Sequence, residues 1–349
     1  MKTYGVLLIG CGHIGMQHLL DIYYRENIRI EAVVDQAPER AAQAARRCGA
    51  LAWGQDYRHF LESDRVDIVI IASYTDSHLP ILLECLAHHK HVLCEKPIAR
   101  TLEEGQAFVE AVQKAPEKVL IAHILRHNRS YQKVRELVQE GAIGELRLLR
   151  MVQNHHAMNW SRYCRLLEDC SPTVDCGVHY YDVAQWITGS TITQVSGFGT
   201  KTQPDAPRTN YTMVSFCLEN GCKGFYEAGW GQSMRSSNIK EFIGTKGRIT
   251  LELQAQRGSD CEEGDLITLL RSDTDSYKTI NVQAEYKDMY AQLEALIAMI
   301  ETGGPGDPTI EEAWSAFRVA LAADEAIATG RTVLLGDSDI WNLRTSQAR

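Results

Sequence analysis

Residues Tyr4 to Gly15, YGVLLIGCGHIG, join an apolar run to three glycines spaced Gly10-x-Gly12-x-x-Gly15. Val6 to Ile9, closed by Gly10, have the length and character of a strand buried on both faces, which is typical of the first strand of a parallel sheet. A helical pattern begins at once, with Ile14, Leu19 and Leu20 falling on one side. Strand, glycine turn and helix N-terminus together make a site for a pyrophosphate, because backbone amides and the positive end of the helix converge there. The loop Gly10, Cys11, Gly12, His13, Ile14 and Gly15 is therefore a candidate cofactor cradle. Three glycines in a turn are equally consistent with a plain turn, and the context has to decide.

A second apolar run, Ile28 to Val34, ends in Asp35, twenty residues after Gly15. A carboxylate at the tip of the second strand can accept hydrogen bonds from the hydroxyls of an adenosine ribose, and it repels a 2′-phosphate. The alternative for Asp35 is a turn-initiating role before Pro38. The order strand, glycines, helix, strand, acid favours dinucleotide binding, with NAD preferred to NADP.

The 349 residues suit two domains, and 45 acidic residues against 36 basic ones give a net charge of −9. That balance and the lack of a basic tract argue against nucleic acid as a partner. A strand pattern starts within a few residues of the N-terminus, and no apolar stretch approaches the ~20 residues of a membrane span, so a cytoplasmic protein is expected. None of the ten cysteines forms a Cys-x-x-Cys pair, and several lie in apolar runs, which suits buried thiols in a reducing compartment.

After Asp35 the chain keeps alternating. Helices are expected over Pro38 to Cys48, Tyr57 to Leu61, Leu79 to His89 and Leu102 to Lys114. Strands are expected over Leu51 to Trp53, Asp67 to Ala72, His91 to Glu95 and Val119 to Ala122. This rhythm means a right-handed, doubly wound parallel sheet, so residues 1–123 read as one Rossmann domain and 124–349 as a second domain. In the second domain Ser130 to Gln139 and Val174 to Ile187 read as helices. Glu145 to Asn154 and Ile192 to Leu253 show period-two alternation with turn signals, the mark of a large, mostly antiparallel sheet. Two further helices, Met289 to Ile300 and Ile310 to Thr329, flank the breaker Gly303-Gly304-Pro305-Gly306. An α+β domain with an open sheet face is a natural homodimer or homotetramer surface.

Ligands in such a sheet bind beyond the carboxyl ends of the strands. Ser73, Tyr74 and His78, after the fourth strand, could meet ribose or phosphate, or could simply cap the following helix. Glu95-Lys96-Pro97 follows the fifth strand, with Glu95 a candidate cofactor contact, and the proline holds Lys96 extended at a strand end. Further on, Asp175 and His179 stand four apart on the expected helix, with Asp182 near the next turn. A histidine flanked by carboxylates suits proton transfer near neutral pH, and an N-capping Asp with a structural His is the alternative. Zinc is the competing idea, but no third ligand can be identified and no metal is expected.

These motifs taken together resemble the Gfo/Idh/MocA family of NAD(P)-dependent oxidoreductases, and the resemblance extends over nearly the whole chain, through HVLCEKP and EGAIGEL. It implies a Rossmann domain followed by a domain built on a mostly antiparallel sheet. It also implies hydride transfer between a nicotinamide and a carbinol carbon of a sugar, cyclitol or related polyol. On this resemblance His179 is the acid/base, Asp175 the carboxylate that orients it or the substrate, and Lys96 the group that polarises the reacting hydroxyl. The chain departs from the family pattern at Ser73-Tyr74-Thr75 and at Leu125-Arg126-His127-Asn128-Arg129. Arg126, Asn154, Trp160 and Asp182 are the expected substrate contacts; Asn154, His155, His156, Asn159, Trp160 and Arg162 form a polar and aromatic patch in which Trp160 could stack on a sugar face, a mobile loop or an oligomer contact being the alternative. Some relatives are NAD-dependent glycosidases and some are non-enzymatic regulators. The intact Lys96, Asp175 and His179 and the absence of a helix-turn-helix favour a dehydrogenase.

Overall fold

The computed structural model describes residues 2–253, 264–283 and 287–336. The first unit opens with β1 (Tyr4–Ile9), α1 (His13–Ile22), β2 (Ile28–Val34), α2 (Pro38–Cys48), β3 (Ala52–Gly54), α3 (Arg58–Leu61), β4 (Ile68–Ile71), α4 (His78–Ala87), β5 (His91–Cys94), α5 (Leu102–Lys114) and β6 (Val119–Ile121). Its six strands lie in the order β3-β2-β1-β4-β5-β6, and every pairing is parallel. All of β1 and β4 is buried, as expected of strands covered by helices on both faces. The sheet is the doubly wound one implied by the sequence, with the order reversing between β1 and β4.

The second unit contains α6 (Arg129–Gln139), β7 (Leu146–His156), α7 (Trp160–Asp169), α8 (Pro172–Asp175), α9 (Gly177–Thr188), β8 (Ile192–Thr200), β9 (Tyr211–Leu218), β10 (Lys223–Gly231), β11 (Ser237–Gly244), β12 (Gly247–Glu252), β13 (Asp265–Arg271) and β14 (Ser276–Val282). The chain then continues through α10 (Met289–Thr302), α11 (Ile310–Thr329) and β15 (Val333–Leu334). A nine-stranded sheet runs β14-β13-β12-β11-β7-β10-β9-β8-β15. It is antiparallel throughout except for β7 and β10, which pair in parallel from Leu148 and Lys223 to His156 and Gly231. Along β9 burial alternates residue by residue, which is what one covered face requires.

Three features refine the expectations. The compact units divide after His127, close to the expected boundary at residue 123, and residues 287–314 group with the first unit. The physical reason is α10: its Leu293, Leu296, Ile297 and Met299 lie in one apolar cluster with Leu19, Ile22, Leu93 and Leu120. Each such side chain stabilises the unit by roughly 1.5–3 kcal/mol of gross burial, so the sheet is incomplete without this late helix. The expected helix from Val174 to Ile187 is two pieces, broken at Cys176. Trp160, an expected substrate contact, opens the regular helix α7, which the sequence periodicity does not mark. Residues 337–349 of the expected second domain lie outside the described residues.

No helix among the described residues is long and apolar enough to cross a membrane. The described cysteines are all free thiols, and no cluster of His, Cys, Asp or Glu among the described residues could hold a metal ion.

Candidate active site

In the first unit the glycine loop has the geometry a dinucleotide needs. Gly10 sits at φ +98°, and a Cβ there would come within 2.5 Å of the Ala72 carbonyl oxygen. Gly15 lies so close under Gly10 that any side chain would collide with its carbonyl. Gly12 differs, because a Cβ there would meet nothing within 4 Å. It caps α1 without a side-chain hydrogen bond, and the first turn carries no acid. The amides of that turn therefore point off a positive helix end that is open to an anion, and the residues fit a pyrophosphate.

Asp35 is built into the same loop. One carboxylate oxygen accepts the Cys11 amide and the other the Ala37 amide, each at 2.9 Å. Each oxygen keeps a second lone pair for a ribose hydroxyl. Cys11 contributes its backbone: its side chain turns inward toward the Val34 carbonyl, and burial together with the Asp35 charge pushes the thiol up to about 12. His13 and Ile14 begin α1, with His13 exposed beside Gln17.

At the end of β4, Ser73 and Ser77 share a hydroxyl hydrogen bond of 2.6 Å, and Tyr74 is exposed. His78 departs from the expected cofactor contact. It is buried, with Nδ1 3.0 Å from the Pro97 carbonyl and Nε2 3.2 Å from the Ser73 carbonyl, so it ties the loop after β4 to the loop after β5. Arg126 is 2% exposed, and its guanidinium donates to Asp307 at 2.6 Å and Glu312 at 2.9 Å, which makes it an internal tie.

Beyond β5, Glu95 and the half-buried Lys96 precede a cis Lys96–Pro97 bond. The Glu95 carboxylate lies 2.9 Å from Nε2 of His18, a fully buried histidine of α1 that sequence reasoning missed. Burial acts to raise the Glu95 pKa. The His18 hydrogen bond and the charges of Lys96 and Lys287 outweigh it and hold the carboxyl below its ordinary value.

In the second unit, Ser171 caps α8 through its hydroxyl, and Asp175 closes that single turn. Cys176 breaks the helix, and the His179 amide reaches back to the Cys176 carbonyl at 3.2 Å. Asp175 and His179 thus flank a break and do not share an unbroken face. Gly177 makes the restart possible, since a Cβ there would crowd the rings of Tyr181 and Tyr226 at 3.0 and 3.1 Å. Asp175 and His179 are both half-exposed, and His179 Nδ1 itself is buried. Asp182, one turn on, is 1% exposed.

Beneath α9, Tyr180 stacks on Tyr226 at 4.9 Å, and the buried Lys240 ammonium lies 4.4 Å over the Tyr180 ring. Lys240 donates to the Val152 carbonyl at 2.7 Å, and burial pushes its pKa well below the lysine range. Nothing in the alternating pattern of β11 marks it as buried. Asn154 donates to Glu227 at 2.7 Å. Trp160 donates to Asp205 at 2.6 Å and packs on the cluster of Leu167, Ala206 and Trp230, so its ring anchors α7.

Residues 4–123 match the family model described as GFO_IDH_MocA, an oxidoreductase family with an NAD-binding Rossmann fold. Residues 131–250 match the GFO/IDH/MocA C-terminal domain. The chain is 24% identical over 337 residues to the Myo-inositol 2-dehydrogenase of Thermotoga maritima, covering 94% of this chain and 97% of the relative. It is 26% identical over 343 residues to the Inositol 2-dehydrogenase 2 of Saccharopolyspora erythraea, covering 95% of each. Its fold resembles that of the scyllo-inositol dehydrogenase from Lactobacillus casei, solved with NAD(H) and scyllo-inositol, with TM-score 0.78, 23% identity, and coverage of 95% of this chain and 99% of that one.

Proposed function

Because the chain belongs to the GFO/IDH/MocA family of oxidoreductases, we propose that it is an NAD-dependent dehydrogenase that oxidises a secondary alcohol of a cyclitol or closely related polyol to a ketone. The observation that carries this reading is that both family domains occur in one chain, and that several relatives covering nearly all of it are named inositol dehydrogenases. The Asp35 carboxylate, held at 2.9 Å from the loop amide of Cys11, supports NAD over NADP, because a 2′-phosphate would be repelled there.

The bound dinucleotide supplies the hydride acceptor, and this chain's residues supply the rest. The amides after Gly12 hold the pyrophosphate, and Asp35 accepts the ribose hydroxyls. Lys96 donates to the reacting oxygen and stabilises the charge that develops on it. His179 takes the hydroxyl proton in oxidation and returns it in reduction, and Asp175 orients substrate or imidazole. Asn154 is assigned to hydroxyl recognition; Arg126, Trp160 and Asp182 are committed to internal contacts and are left out of the site.

The test is NADH production by the purified protein with myo-inositol, scyllo-inositol and a panel of aldoses and alditols. Turnover of a cyclitol or polyol that falls at least ~100-fold in a folded His179→Ala variant is the expected result. Release of an aglycone from glycosides without net NADH formation would overturn it.

A further inference from the structure

His18 has no part in the reaction as described, yet it is fully buried on α1, with Nε2 2.9 Å from a carboxylate oxygen of Glu95. Its other ring nitrogen, Nδ1, is buried without a hydrogen-bond partner. A buried N–H without an acceptor costs more than a lone pair without a donor, so the proton belongs on Nε2, and His18 is the donor to Glu95. Glu95 is held from the other side by its backbone, whose amide donates to the Ile71 carbonyl at 2.9 Å. The carboxylate is thus fixed between the second turn of α1 and the tip of β5, immediately before Lys96.

We propose that His18 is a positioning residue for Lys96, acting through the Glu95 carboxylate. This rests on the reading of Lys96 as the group that polarises the reacting oxygen. An apolar pair at positions 18 and 95 would serve stability at least as well as a carboxylate held by a buried imidazole, so packing alone does not account for this dyad. What an ionised Glu95 adds is a fixed negative charge beside Lys96, which keeps the ammonium charged and limits where it points. The groups facing Glu95 sort accordingly. His18 donates to it from α1. Lys96 and Lys287 bring positive charge, with Lys287 itself bound to Gln17 Oε1 of α1 at 3.2 Å. The buried Cys94 thiol, pushed far above its ordinary range by burial, is neutral and adds nothing. Because α1 also presents the amides that would seat the pyrophosphate, one rigid helix registers both the cofactor and the lysine.

The test requires no substrate. Full-length protein is labelled with trace acetic anhydride across a pH series, and acetylation of Lys96 is followed by peptide mass spectrometry, with the exposed Lys278 as internal reference. In Glu95→Gln the Lys96 midpoint is expected to fall by about one pH unit, because the neighbouring charge is gone. His18→Leu leaves the carboxylate ionised but without the donor that holds it, so it is free to turn away from Lys96 and the Lys96 midpoint falls in the same direction. His18→Gln keeps a donor and stays near the parent. Lys278 does not move in any variant. If His18→Leu does not fold, Glu95→Gln and His18→Gln still decide the matter.

A Lys96 midpoint unchanged in Glu95→Gln overturns the proposal. So does a shift in Glu95→Gln that a folded His18→Leu fails to reproduce, or a His18→Gln that behaves like the leucine variant. With a cyclitol that is turned over, His18→Leu is expected to lose about tenfold in kcat with KM for NAD little changed, since the lost interaction belongs to the reacting oxygen and not to the pyrophosphate. If no cyclitol or polyol is turned over, the dehydrogenase reading fails while the labelling midpoints still decide the role of His18.

Discussion

Arg126 and Asp307, 181 residues apart in the sequence, meet through a 2.6 Å hydrogen bond inside the first unit. Glu312 closes on the same guanidinium at 2.9 Å, and the arginine is 2% exposed while the two acids are about half exposed. The arginine is buried for this tie. Arg126→Met is therefore expected to destabilise the protein by about 1–3 kcal/mol, less than a fully buried pair would cost because the stranded acids reach water. Calorimetry should show Tm falling by ~3–10 °C, with KM for NAD and polyol within about threefold of the parent when assayed well below the transition. A large rise in polyol KM at unchanged Tm would return Arg126 to the substrate site.

Gly12 and Gly10 should separate binding from folding. A methyl at Gly12 has open space around it, so Gly12→Ala is expected to melt near the parent temperature. It should still weaken NADH by tenfold or more, about 1.4 kcal/mol, because the methyl occupies the approach to the first-turn amides. Gly10→Ala instead forces a side chain onto φ +98° and toward the Ala72 carbonyl, and should cost more than ~2 kcal/mol of stability. Fluorescence titration beside thermal melts distinguishes the two, and equal loss of stability in both would contradict the assignment of Gly12 to the cofactor.

Asp35→Ser removes a charge aimed at the adenosine ribose. The expected outcome is a kcat/KM for NAD lower by on the order of 10- to 100-fold, with NADP gaining relative to NAD. Unaltered discrimination between the two cofactors would show that Asp35 serves only the Cys11 and Ala37 amides.

Asp324, on α11, carries a carboxyl whose pKa is raised by burial against the pull of a Ser171 hydrogen bond and Arg208. With a folded pKa above the unfolded one, the folded protein binds the extra proton between the two values. Stability is therefore lost as pH rises through that window, and the cost is complete above it. Asp324→Asn removes the cost and can still accept from Ser171. It should raise Tm by about 1–3 °C at neutral pH, with the gain shrinking toward pH ~4. A gain independent of pH would point to packing instead of charge.

The parallel sheet was legible because glycines, apolar runs and Asp35 are local signals, and β1, α2 and α5 fall where periodicity puts them. What stayed hidden depends on distant partners. His18 reads as one polar residue in an apolar stretch, and only the β5 tip reveals its role. Lys240 has the face of an exposed strand lysine until Tyr180 and the Val152 carbonyl are beside it. The break at Cys176 has no proline to announce it. Arg126 and Asp182 carry charges that suggest exposure, and both are buried.

The packing of α10 onto β5, β6 and α1 has a consequence for how the chain comes off the ribosome. The sheet that begins at residue 4 lacks its last apolar layer until residues 289–302 have been made. The part translated first therefore matures late, with Leu19, Leu93 and Leu120 waiting uncovered while the nine-stranded sheet is still being synthesised. A nascent chain paused before residue 287 is the species expected to attract chaperones. Codon changes that prolong that pause should lower soluble yield without altering a single residue.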